Sequence, residues 1–215
     1  MSKGRSHKRI IFLVGILGAI GAFAASSMLS SPNRTNLSNS DIAILFVGNS
    51  FTSCNSLDKM VESLVREVTG GSSVYTIRSA PGGYRMHQHA SSLRRGRLAT
   101  HFTKQNRGHW DFVVLQGQSQ VPGFAPENPQ TSKVVDGFRA FAQKTAALPC
   151  RVCLLMTWGY LNTDNFNPKH YPNYETMQAR LAAGYHYIRK VMLEDNPKVE
   201  VSPVGLAFQR VRQKD

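Results

Sequence analysis

At 215 residues, with 41% hydrophobic and 18% charged content, the chain is the size of one ordinary domain and has enough apolar material for a core. That composition excludes a disordered or low-complexity chain. The net charge of +13 would suit an anionic partner, but no nucleic-acid-binding module accompanies it. Arg78, Arg85, Arg94, Arg95, Arg97, Lys104 and Arg107 therefore read as a solvated basic face, with no nucleic acid as partner.

In chain order, Lys3, Arg5, Lys8 and Arg9 precede an uncharged run from Ile10 to Ala25. With Ala22-Phe23-Ala24 as an A-x-A-like site, residues 1–25 read as a secretory signal peptide, or a signal anchor if uncleaved. The run falls short of the ~20 residues of a spanning helix. The expected location is secreted or periplasmic, with membrane contact only through this segment if it is retained. Residues 26–40, rich in Ser, Asn and Pro, read as a linker to one domain over residues 41–215.

The domain opens on Ile42 to Val47, a continuous apolar run that fits a strand buried on both faces. Gly48 to Thr52 reads as a turn. Leu57, Met60, Val61, Leu64, Val65 and Val68 then form a helical stripe that ends at Gly70-Gly71. Val74 to Ile77 predicts a second strand, Pro81-Gly82-Gly83 a loop, and Met86 to Lys104 one helix. A third strand is predicted over Asp111 to Gln116. A proline-rich loop leads to a helix carrying Val134, Val135, Phe138, Phe141 and Ala142 on one face. Val152 to Met156 predicts the fourth strand. Tyr174, Met177, Leu181, Tyr185, Ile188 and Met192 line a long helix that Asn196-Pro197 stops, and Val199 to Val201 predicts the fifth strand. Strands alternating with helices imply a doubly wound parallel sheet between two helical layers, in the flavodoxin-like order 2-1-3-4-5. Ligands bind outside the carboxyl ends of such strands, which selects the loops 48–53, 79–85 and 116–123.

Those loops carry the chemistry. Ser50 follows the first strand directly, so its hydroxyl is expected to be exposed beside backbone N–H groups able to stabilise an oxyanion. Asn49, Ser50 and Thr52 also suit plain turn and capping roles. Gly82 and Gly83 can bring a backbone N–H close to a bound oxygen. Gln118, in the polar run Gln116-Gly117-Gln118-Ser119-Gln120, can donate from its amide. His87 and His89 lie near the glycine loop and read as surface or substrate-contact residues rather than as a base. Tyr84, Phe124, Trp158 and Tyr160 are candidates to stack on a sugar at the mouth. Cys150 and Cys153 form a C-x-x-C, but they fall around a strand with no second ligand pair, so they read as core cysteines rather than a zinc site. No Walker pattern is present. No metal, nucleotide or other cofactor is expected.

Asp41 to Thr52, DIAILFVGNSFT, resembles the first block of the SGNH (GDSL-type) serine hydrolases, and Pro81-Gly82-Gly83-Tyr84 resembles the second. Trp110 to Gln120, Met156-Thr157-Trp158 and Val201 to Phe208 are similar to a less characterised subgroup with glutamine in the third block. The resemblance spans residues 41 to 209. It implies Ser50 as nucleophile and Gly83 (or Gly82) and Gln118 as oxyanion-hole donors. It also implies a small-molecule or carbohydrate ester as substrate, cleaved through an acyl-enzyme. The alternative is a non-catalytic carbohydrate- or acyl-ligand-binding protein that retains the pocket.

The first block reads Gly-Asn-Ser where the family has Gly-Asp-Ser. The family's Asp-x-x-His, placed after the fifth strand, has no match after Ser50. Asp164, His170 and the terminal Asp215 are poor substitutes. The chain is accordingly expected to be C-terminally incomplete, with its last helix missing, little or no activity, and apolar surface left exposed beside the first strand.

Overall fold

The computed structural model describes residues 41–103, 109–162 and 164–213. The expected signal segment and linker (1–40), Lys104, Arg107 and Asp215 lie outside the described residues.

Five parallel strands form one sheet in the order β2-β1-β3-β4-β5, as the alternating pattern predicts. They are β1 (Ile42–Val47), β2 (Val74–Ser79), β3 (Phe112–Leu115), β4 (Arg151–Leu155) and β5 (Val199–Ser202). The helices are α1 (Ser50–Ser53), α2 (Leu57–Val68), α3 (Met86–Arg95), α4 (Arg97–Thr100), α5 (Pro129–Thr145), α6 (Tyr174–Leu193) and α7 (Val204–Arg212). Strand β1 sits between β2 and β3, with Ile44 to Val47 in register with Phe112 to Leu115.

Because side chains alternate across a strand, β1 feeds two cores at once. Leu45 and Val47 join Val113, Leu115, Phe138, Phe141, Met177, Leu181, Tyr185 and Ile188 under α3, α5 and α6. Ile44 and Phe46 join Val114, Leu155, Leu57, Val61, Val65 and Val204 under α2 and α7. Burying each large apolar side chain contributes about 1.5–3 kcal/mol, so a strand buried on both faces is a strong anchor for the turn that follows it.

Two expectations need correction. The single helix over Met86 to Lys104 breaks at Gly96, whose backbone is extended and ends α3. The Ser92 hydroxyl then accepts from the Leu98 N–H at 3.1 Å, which starts α4 on a new axis. The bare sheet face beside β1 is also not found. Ile44, Phe46, Val114 and Leu155 are all buried, and Phe208 of α7 packs against their cluster. Apolar periodicity assigns no element to Val204–Arg212, which forms the helix α7.

Candidate active site

Gly48 ends the run of β1 and must be glycine. A Cβ there would lie 2.3 Å from Thr52 Oγ1 and 2.6 Å from Gln116 Oε1. That close approach lets the chain turn at once into α1, with Asn49 as its cap and Ser50 as its first residue. Asn49 is fully buried, whereas Ser50 is exposed.

The side chain of Asn49 ties three loops together. Its Oδ1 accepts from the Phe51 N–H at 3.1 Å, the usual capping bond. Its Nδ2 donates to the Tyr84 carbonyl at 3.1 Å and to Gln118 Oε1 at 2.5 Å. The backbone N–H of Asn49 donates to Gln116 Oε1 at 3.0 Å, and the Thr52 hydroxyl donates to the same oxygen at 2.8 Å. The glycine loop and the loop after β3 are therefore fastened to the residue beside Ser50.

Gly83 has a φ of +69°, the left-handed conformation that glycine adopts without strain. The amide hydrogens of Ser50, Gly82 and Gly83 have no acceptor among the described residues. Gln118 is half-buried. With its oxygen engaged by Asn49, its Nε2 is left with one long contact, 3.4 Å to Ser119 Oγ. The structure thus brings the loops of Gly82, Gly83 and Gln118 to the neighbour of Ser50, and all three retain donors.

His89 departs from its surface reading. It is buried, and its Nε2–H donates to the Gly48 carbonyl at 2.7 Å, with the ring edge-on to Tyr84. Burial holds its imidazole below the ordinary value, against the Gly48 bond, which raises it. This ring pins the end of β1 from beneath. His87, two residues away, is half-buried, and its Nδ1 is buried with no partner among the described residues. Burial lowers its pKa first, and the positive charges of Arg85 and Lys133 lower it further.

Asp164 and His170 do not form a catalytic pair. Asp164 is buried, and its carboxylate accepts from the Phe166 N–H at 3.0 Å and from Asn167 Nδ2 at 2.8 Å within its own loop. His170 is exposed and packs on Phe124. Among the described residues no histidine is hydrogen-bonded to Ser50 or to a carboxylate.

On the other side of Ser50 the contacts are apolar. Phe51 stacks on Trp158 with centroids 4.9 Å apart, and Trp158 packs on Phe208 at 4.7 Å. Of the four expected mouth aromatics, Phe124 is instead a core ring stacked on Tyr171. Tyr160 donates to Gln120 Oε1 at 3.1 Å. Cys150 and Cys153 are both free and buried, and burial pushes their thiols up to about 11 and about 12, which fits core cysteines. Among the described residues no helix is long and apolar enough to cross a membrane.

By sequence alone, Asn49 reads as a turn residue and Gln116 as loop polarity. The one usable signal is the alternation of glutamines at 116, 118 and 120 directly after an apolar strand. Each proves to have its own partner: Gln116 and Gln118 at the first loop, and Gln120 at Tyr160 and Tyr171.

No family model and no curated protein matches the sequence. Solved structures do match. A protein from Slackia heliotrinireducens assigned as an SGNH hydrolase is 21% identical, with a TM-score of 0.57 over 79% of this chain and 82% of its own. An acetylxylan esterase, Axe2 from Geobacillus stearothermophilus, is 13% identical, with a TM-score of 0.47 over 71% of this chain and 74% of its own, too distant to carry an argument. The first likeness shows the fold: the chain has the three-layer α/β/α fold of the SGNH hydrolases.

Proposed function

We propose that this protein is an SGNH-type acyl hydrolase that cleaves a small-molecule or carbohydrate ester through a Ser50 acyl-enzyme. The observation that carries the reading is the Asn49 side chain, which fastens the glycine loop and the Gln118 loop beside an exposed serine at the head of α1. In this reading the Ser50 hydroxyl attacks the ester carbonyl, and the oxyanion is met by N–H groups of Ser50, Gly83 (or Gly82) and the Gln118 amide. Water then releases the acyl group. Preorganised donors of this kind are worth about 10²–10³ each in rate, because they need not reorganise as charge develops.

A base must take the serine proton. His89 is committed to the Gly48 carbonyl, and no other histidine among the described residues is hydrogen-bonded to Ser50. A serine without a hydrogen-bonded histidine reacts more slowly by roughly 10⁴ or more, so turnover in the described arrangement is expected to be close to background. Added imidazole supplies a proton acceptor. Hydrolysis of 4-nitrophenyl acetate is expected to rise with imidazole further in the native chain than in Ser50→Ala. Equal rates in the two proteins at every imidazole concentration would refute the hydrolase. The same shortage of a base favours a second reading, a ligand-binding protein that keeps the pocket. Sugar or acyl-ligand binding unchanged in Ser50→Ala, with no imidazole effect, would select it.

A further inference from the structure

Between Glu67 and Asp111 the chain has no carboxylate, yet Arg78, Arg85, Arg94, Arg95 and Arg97 fall in that interval. These arginines differ in what surrounds them. Arg78 is paired with Asp58. Arg94, Arg95 and Arg97 are exposed at the far end of α3 and on α4. Arg85 alone is built into the edge of the site. It follows Tyr84, whose carbonyl is held by Asn49, and it caps α3, with its backbone N–H donating to Gln88 Oε1 at 2.8 Å. Its guanidinium donates to the neutral, exposed Gln130 side chain of α5 at 3.0 Å, a partner that turns it towards α5 without cancelling its charge.

Lys133 stands one turn beyond Gln130 on α5. Its charge and that of Arg85 are both positive, and both lower the pKa of His87. Neither Arg85 nor Lys133 has a carboxylate partner among the described residues. Like charges gathered without a carboxylate partner attract anions, so this pair, on α5 and on the segment that follows the glycine loop, points to a negative group supplied by a ligand. A guanidinium held by a neutral amide keeps donors free for bidentate recognition of a carboxylate or phosphoryl group.

We propose that Arg85 and Lys133 form an anion-recognition subsite, so that the ligand of the Ser50 site carries a carboxylate or phosphoryl group, as in an acidic sugar ester or a phosphorylated one. This rests on the Ser50 reading for its place in a reaction, but the subsite is tested by binding alone. Calorimetry on the intact chain at low salt is the test, with glucuronate, glucose and inorganic phosphate as probes. Glucuronate is expected to bind about tenfold more tightly than glucose, the scale of one charge-assisted pair. The preference should disappear in Arg85→Gln and in Lys133→Gln and survive in Arg95→Gln, which removes the same charge from the far end of α3. Tighter binding of phosphate than of glucuronate would assign the phosphoryl group, and the reverse order the carboxylate. Equal binding of all three probes, or an equal loss in Arg95→Gln, would overturn the subsite. Ser50 chemistry, measured separately with imidazole, fails or stands on its own: a lost rescue with the glucuronate preference intact removes the hydrolase and leaves the subsite.

Discussion

The two flanks of Ser50 are built from different materials. One is a closed polar network in which Asn49, Gln116, Gln118 and His89 bond to specific backbone and side-chain partners. The other is a pile of rings, Phe51 on Trp158 on Phe208. Buried polar bonds are directional, and a partner left unpaired costs more than the bond contributes. Stacked rings tolerate small shifts and substitutions of similar shape. The polar flank should therefore set the geometry of the site, and the aromatic flank its shape and apolar surface.

That contrast is broken most severely at Gly48. An alanine there would place its Cβ against Thr52 Oγ1 and Gln116 Oε1, so Gly48→Ala should destabilise the fold by about 3 kcal/mol, read as a lowered urea midpoint. Asn49→Ala removes a helix cap and strands the Tyr84 carbonyl and Gln118 Oε1. A loss of about 2–3 kcal/mol is expected by the same measurement. A cost below that of an ordinary cap would mean that the three loops hold their places without Asn49.

Acid tests the polar flank from beneath. The folded state holds His89 below its ordinary value of 6.5, so on acidification the unfolded chain takes up a proton that the fold resists. More protons bound to the unfolded state means stability falls as pH falls from about 6.5 towards the lowered folded value, and recovers above it. His87 and His101 act in the same direction. Urea midpoints across that range should slope less in His89→Gln than in the native chain. The aromatic flank gives the smallest effect: Trp158→Phe keeps a ring between Phe51 and Phe208 and should cost about 1 kcal/mol or less.

The same contrast explains which features are legible in the amino-acid sequence. Periodicity finds the strands and helices, because apolar repeats report burial directly: Ile42 to Val47 forms a strand and the stripe from Leu57 to Val68 a helix, as their patterns predict. It runs the helix after Met86 through Gly96, because a single glycine does not by itself stop an apolar repeat. The place of Ser50, Gly83 and Gln118 in the loops after β1, β2 and β3 is legible, because the strand pattern sets it. The roles of Asn49, Gln116 and His89 are not, because a buried polar side chain and a loop residue have the same letter, and only the partner 41, 67 or 69 positions away tells them apart.

The most direct measurement is boron-11 NMR of the intact chain in buffered solution with phenylboronic acid, which mimics the tetrahedral oxyanion; as the Ser50 oxygen bonds boron, its proton passes to the buffer. A tetrahedral boron signal is expected, absent in Ser50→Ala and weakened about tenfold or more in Gln118→Ala. An adduct of equal strength in Ser50→Ala would show that the serine at the head of α1 is not the nucleophile.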